Sequence, residues 1–152
     1  MVSRKLYKLF WVVYIVIIAT AQSQNHPTNL NKQGFMADGF DVVSYFSGTP
    51  EKGKSAYVAE YQSAKFMFRS EDNKKKFLEN PEKYVPAYGG YCAYAMAKTG
   101  ELVEVNPKAY EIRNGKLYLF YKTVFDDTYE KWLSENPNAL VQRADKNWEK
   151  VH

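Results

Sequence analysis

Few side chains in this sequence are equipped for chemistry, and one of them stands apart. Cys92 is the only cysteine, and it lies in Tyr88-Gly89-Gly90-Tyr91-Cys92-Ala93-Tyr94, after a flexible glycine pair and between two tyrosines. A lone thiol can ligate a soft metal ion, attack an electrophile or enter redox exchange, in each case with help from neighbouring groups. Tyr91 and Tyr94 flank it in sequence, and Asp38, Asp41 and Tyr45 are the residues a fold could bring beside it. These residues define a candidate site in which Cys92 holds a metal ion or a small ligand with tyrosine or carboxylate support. A Cys92-centred redox reaction is the enzymatic alternative. A buried cysteine acting as a small hydrophobe is the structural one.

The histidines narrow the enzymatic options. There are two, His26 near the start and His152 at the last position, so the chain between them holds no imidazole. Ser-His-Asp and Cys-His-Asn schemes need an imidazole beside the nucleophile. The sequence also contains no Walker loop, no dinucleotide-binding glycine turn and no His-Glu-x-x-His zinc motif. Asp38 and Asp41 could form a carboxylate pair, although a turn or cap role suits aspartates at that spacing equally. The sequence therefore points to binding rather than catalysis. A structural or protein-interaction domain with no ligand fits the same residues.

Stepping outward, the N-terminus speaks to compartment. Arg4, Lys5 and Lys8 precede an apolar run from Leu9 to Ala21 that ends Ala19-Thr20-Ala21. A basic start, a short apolar core and a small-residue cleavage site form the pattern of a secretory signal peptide. The run is shorter than the ~20 apolar residues that span a bilayer comfortably; an uncleaved N-terminal anchor is the other reading. The expectation is a secreted or periplasmic protein with no membrane contact once residues 1–21 are removed. Three of the 21 basic residues lie in that segment and none of the 17 acidic ones, which leaves 18 against 17 and a charge near +1. The nominal +4 thus belongs mostly to the export segment, and no electrostatic case for nucleic acid remains. Tyr118 and Phe120 beside Lys116 and Lys122 could mimic a base-stacking strand, but an alternating aromatic strand is more simply core.

The remaining chain must position the candidate residues by packing alone, since one cysteine forms no internal disulfide. Its 13 Tyr, 9 Phe and 3 Trp provide ample aromatic area. Residues 22–37 are polar and aperiodic, and read as a flexible linker before a domain over 38–152. Val42, Val43, Tyr45 and Phe46 form a short strand or helical turn. Tyr57, Ala59 and Tyr61 alternate, as do Phe66 and Phe68, which predicts a β-hairpin. Ser70 is an N-cap for a helix to about Glu79 that buries Phe77 and Leu78, with Lys74, Lys75 and Lys76 facing water. Asn80-Pro81 caps a further helical turn through Tyr84. A loop enters a short helix at Cys92. Asn114-Gly115 marks a two-residue type I′ hairpin turn. A helix carrying Phe125, Tyr129, Trp132 and Leu133 on one stripe follows, and a second opens at Asn136-Pro137 with Leu140, Ala144 and Trp148. Hairpins in the middle and helices at the end predict an α+β fold.

The stretch from Ala59 to Tyr84 resembles the YHS domain, a small module found in copper-transporting ATPases and multicomponent monooxygenases. The resemblance is carried by Glu60-Tyr61-Gln62, Phe66-x-Phe68, Ser70, Phe77 and Pro81-Glu82-Lys83-Tyr84. Asp41-Val42-Val43-Ser44 is similar to the family's Asp-Pro-Val-Cys opening, and Tyr88 to Ala93 to a Gly-Gly-Tyr-Cys segment of a secreted branch. Similarity extends over roughly 38–150 and is concentrated in 57–92. In the metal-binding branch, cysteines occupy the positions held here by Ser44, Arg69 and Asn73, and a histidine falls near Tyr57. The resemblance suggests a metal ion as cofactor, but these replacements are poor ligands for soft metals. The family's metal function therefore does not carry over residue by residue.

Overall fold

The computed structural model describes residues 26–152, so the expected export segment over residues 1–21, and residues 22–25 of the expected linker, lie outside it. Two antiparallel hairpins and five α-helices make up the fold, with helices closing the C-terminal end, an α+β arrangement. β1 (Lys54–Tyr61) pairs with β2 (Ala64–Phe68), and β3 (Asn106–Arg113) pairs with β4 (Lys116–Phe120). No helix among the described residues is long and apolar enough to cross a membrane.

The second hairpin is the septum of the molecule. Asn114 and Gly115 both take positive φ, 50° and 74°, as a type I′ turn requires. Period-two alternation then sends Leu117 and Leu119 into one core and Tyr118 and Phe120 into another. The first core lies against the β1–β2 hairpin. Phe66, Phe68 and Tyr61 surround the Phe77 ring at 4.6, 5.1 and 6.0 Å between centroids. Phe77 comes from α1 (Glu71–Glu79), whose cap Ser70 accepts a hydrogen bond from the Asn73 amide. Only Phe77 of the expected pair is buried. Leu78, about 100° further round the helix, is 53% exposed. α2 (Pro81–Tyr84) follows with Pro81 at its first position, but the Asn80 side chain makes no capping hydrogen bond.

The second core is built by α3 (Ala93–Lys98), α4 (Thr128–Ser134) and α5 (Pro137–Trp148) around Trp132, Leu140 and Ala144. α5 matches its expected cap and stripe, with Asn136 accepting from the Ala139 amide. α4 does not match. It starts at Thr128 because the Asp127 carboxylate accepts from the amides of Tyr129 and Glu130. Phe125 therefore lies outside the helix and is 99% exposed, and Leu133 is also exposed; Trp132 anchors α4 instead.

Residues 26–37 depart from the expected linker. The Asn31 carboxamide accepts from the amides of Gln33 and Phe35, an Asx turn that polar composition conceals. The Met36 amide donates to the Lys65 carbonyl and the Lys65 amide to the Gly34 carbonyl, at 2.9 and 3.0 Å. Met36 and Ala37 are buried in the first core. The packed chain thus begins before Asp38.

Candidate functional site

Cys92 caps α3 at the seam between the septum and the second core, and it is completely buried. Its Sγ accepts from the Tyr121 amide at 3.3 Å and lies 3.3 Å from Thr128 Oγ1. The Thr128 hydroxyl donates its single proton to the Tyr121 carbonyl at 2.7 Å. Thr128 Oγ1 is therefore left to accept from the thiol, and the S–H group has a donor and an acceptor role filled internally. None of the other five candidate residues hydrogen-bonds to it. Tyr94 points its hydroxyl to Glu135 at 2.7 Å. Burial and then this hydrogen bond push the Tyr94 phenol up to about 12. Tyr91 donates its amide to the Tyr88 carbonyl. Among the described residues no group of three or more His, Cys, Asp or Glu is arranged to hold a metal ion.

Asp38, Asp41 and Tyr45 belong to the other half of the protein. Asp38 is exposed and bound by Lys52 and Asn31, which hold its carboxyl below the usual range. Tyr45 is buried, which raises its hydroxyl well above the ordinary tyrosine range, and it donates to the Pro107 carbonyl at 2.7 Å. Asp41 is fully buried. Its Oδ1 accepts from the Val43 amide at 2.9 Å, and Oδ2 accepts from the Arg69 amide at 2.9 Å and Asn73 Nδ2 at 2.7 Å. The Ser44 hydroxyl donates to the Asp41 carbonyl at 2.6 Å and accepts from the Glu51 amide at 2.9 Å. The three positions at which the resemblance leads us to expect cysteines, Ser44, Arg69 and Asn73, thus gather around Asp41, Ser44 at its backbone carbonyl and the Arg69 amide and Asn73 side chain at its carboxylate. They do not fit a soft metal ion. Ser44 and Asn73 are engaged in hydrogen bonds, and the Arg69 guanidinium pairs with Glu51.

A cavity of about 520 Å³ lies where the N-terminal segment crosses the first hairpin, and sequence reasoning missed it. Met36, Tyr61, Phe66, Val85, Tyr88 and Trp148 give it apolar and aromatic walls, while Thr28, Gln62 and Ser63 add polar atoms. No Asp, Glu, Lys or Arg lines it. His26, within the expected linker, stacks on Trp148 at 4.6 Å between centroids and 20° between planes. Its Nδ1 is enclosed and has no hydrogen-bond partner among the described residues. The Tyr88 hydroxyl donates to Asp145 at 2.9 Å; burial and then this acceptor hold the phenol neutral far above the ordinary range.

The glycine pair explains how the cavity is roofed. Asn29 donates its amide to the Gly89 carbonyl at 2.8 Å and its carboxamide to the Gly90 carbonyl at 3.2 Å. A Cβ on Gly89 would lie 2.3 Å from the Pro27 carbonyl oxygen, and one on Gly90 2.6 Å from Met36 Sδ. The pair is thus the dock for the N-terminal segment rather than a hinge beside Cys92. Part of the rim is the two-residue turn of the β1–β2 hairpin, Gln62-Ser63, which needs positive φ at both positions. Gln62, Ser63 and Tyr88 have φ of 48°, 64° and 54°, which costs a non-glycine residue roughly 1–2 kcal/mol each.

No family model, curated protein or solved structure matches this chain. The site must therefore be judged on its geometry. A polar knot at Asp41 and a sealed thiol at Cys92 both have their hydrogen-bonding capacity filled. The cavity has an open volume and a lining of uncharged and aromatic residues.

Proposed function

We propose that this protein is an exported, YHS-like binding module that holds, without transforming, a neutral planar small molecule in the cavity between residues 26–36, the β1–β2 turn and Trp148. The uncharged aromatic lining carries this reading. A volume of about 520 Å³ falls in the usual range for small-molecule sites, about 300–1,000 Å³. Rings of Tyr61, Phe66, Tyr88 and Trp148 favour a flat ligand, the polar atoms that make up more than half of the exposed lining favour one with polar groups of its own, and a charged one would lose hydration with no counter-ion in the wall.

The YHS-like part of the proposal is supported by Ser44, Arg69 and Asn73 meeting at Asp41, as ligand positions of one site should. Export is proposed from residues 1–21 alone. A metal or redox site at Cys92 is the weaker reading, because the thiol is sealed and its partners are the Tyr121 amide and the Thr128 hydroxyl. The test is a Trp fluorescence titration with 2-naphthol, which is neutral and planar and carries one hydroxyl, against naphthalene-2-sulfonate. Saturable quenching by 2-naphthol, lost in Trp148→Ala and at least ~10-fold weaker for the sulfonate (a difference of about 1.4 kcal/mol), supports the proposal. Equal affinity for both, or quenching that survives Trp148→Ala, overturns it.

A further inference from the structure

The N-terminal segment consists of two parts that are held very differently. Residues 30–36 form a pinned turn. The Asn31 amide donates to the Phe35 carbonyl at 3.0 Å and the Gly34 amide to the Asn31 carbonyl at 2.9 Å, and Leu30 bridges Met36. Lys65 of β2 ties this turn to the first hairpin, its amide donating to Gly34 and its carbonyl accepting from Met36. Met36 is buried in the first core, and Leu30 packs against that core. This part can open only with the core that holds it.

Residues 26–29 are held far more lightly. His26, Pro27 and Thr28 make no backbone hydrogen bond among the described residues, and a proline has no N–H to offer. Residues 26–29 are all half-buried. Two fastenings hold them. Asn29 hooks the Gly89 and Gly90 carbonyls with its amide and its carboxamide, at 2.8 and 3.2 Å, and His26 stacks on Trp148. Between these points Pro27 lies over Gly89, where the missing Cβ leaves it room. Chain with few hydrogen bonds and little buried area opens locally, at a free energy well below that of global unfolding.

We propose that residues 26–29 are a ligand-operated strap, which opens about Leu30 while the rest of the fold stays packed and which a molecule in the cavity holds shut. This regulation rests on the cavity being the ligand site. His26, Pro27 and Thr28 line the cavity, whereas Asn29 does not. A bound molecule therefore meets the first three only while the strap is fastened. A ligand shifts a two-state equilibrium by its difference in affinity for the two states, and contact with these strap residues supplies that difference here. The coupling is reciprocal, so whatever fastens the strap also tightens the ligand. The strap runs from Met36 in the first core to Trp148, which packs against the second. Closing it over a ligand thus joins the two cores.

Amide hydrogen exchange of the full-length folded protein, read by NMR with 2-naphthol as the probe, tests the strap. Without probe, the Asn29 amide should exchange at least ~100-fold faster than that of Phe77, which is fully buried in α1. With probe at about ten times its Kd from Trp quenching, exchange at Asn29 should slow about 10-fold, the factor expected when the open strap releases the ligand. Asn29→Ala removes the carboxamide hook and no part of the cavity wall. In this variant exchange at residue 29 should rise about 5-fold without probe, and 2-naphthol should dissociate faster by about the same factor in stopped flow. Asn29 exchange as slow as that of Phe77 overturns the strap. Saturable quenching with Asn29 exchange unchanged, or dissociation unchanged in a variant whose exchange has risen, also overturns it and leaves the cavity reading standing. No quenching by 2-naphthol at any concentration overturns both.

Discussion

Removing the Asp41 carboxylate should be the most damaging single truncation at a polar position in this fold. Its oxygens accept three hydrogen bonds at 2.7–2.9 Å from the Val43 amide, the Arg69 amide and Asn73 Nδ2. These tie the turn at 41–44 to the end of β2 and the first turn of α1. Hydrogen bonds to a charged group contribute about 1.5–3 kcal/mol each, but bonds sharing one acceptor are not additive. Asp41→Ala should therefore cost about 4 kcal/mol, close to what stranding one partner of a buried polar pair costs. Asn73→Ala removes one donor and leaves the carboxylate two others, so it should cost about 1–2 kcal/mol. In the double variant the Asn73 truncation should cost almost nothing further, which gives a coupling of about 1–2 kcal/mol. Asp41→Asn should also destabilise, because an amide has one acceptor atom and donors face both carboxylate oxygens. Urea unfolding followed by Trp132 emission reads these values, since Trp132 is fully buried and the slope against denaturant should not change. A loss below about 1 kcal/mol for Asp41→Ala, or additivity of the two truncations within ~0.5 kcal/mol, would refute the reasoning.

Gly89→Ala should undock the N-terminal segment, since its Cβ would meet the Pro27 carbonyl oxygen at a φ of +60°; the readout is tryptic cleavage after Lys32, expected to speed up at least ~10-fold with a stability loss of about 2 kcal/mol. Unchanged cleavage would show that the segment is not held by the glycine pair. The Cys92 thiol should resist a thiol-specific reagent in folded protein and react fully in denaturant, and native labelling at the unfolded rate would contradict its enclosure. Asp38 has a lowered carboxyl pKa in the folded protein, chiefly from Lys52, so its contribution is present above the ordinary carboxylate range and is lost as pH falls through the folded value. Both partners are more than half exposed, so Asp38→Asn should cost no more than about 1 kcal/mol at neutral pH and nothing in strong acid; a gap between the two melting curves that persists in acid would contradict this.

The parts of the fold that local chemistry determines could be read from the sequence. Asn114-Gly115 marks its turn by needing positive φ at both positions, and Ser70 and Asn136 mark helix starts by offering side-chain acceptors to free amides. Phe125 shows where periodicity fails. Its spacing to Tyr129 suits a helix, but the Asp127 carboxylate caps the chain three residues upstream of Glu130 and excludes Phe125. The site was obscured for a different reason. Its walls come from His26, Met36, Tyr61, Tyr88 and Trp148, which no local window contains together. The N-terminal segment has the sequence of a linker because Asn31 and Gly34 are turn formers, and Leu30, Phe35 and Met36 are too few to show a period. Signals for docking were present in Gly89-Gly90, yet a glycine pair signifies flexibility or close approach equally, and only the position of Pro27 decides between them. Cys92 drew attention by chemical type, whereas its burial follows from Thr128 and Tyr121, some 30 residues away.

The cavity is tested most directly by intermolecular NOEs between 2-naphthol and the methyl and aromatic protons of the folded protein. Cross-peaks to the Met36 methyl and to the Trp148 and Tyr61 rings, absent with naphthalene-2-sulfonate, are predicted. Cross-peaks confined to exposed side chains such as Phe125, or none to Met36 and Trp148 at saturating probe, would contradict a binding site between the N-terminal segment and the first hairpin.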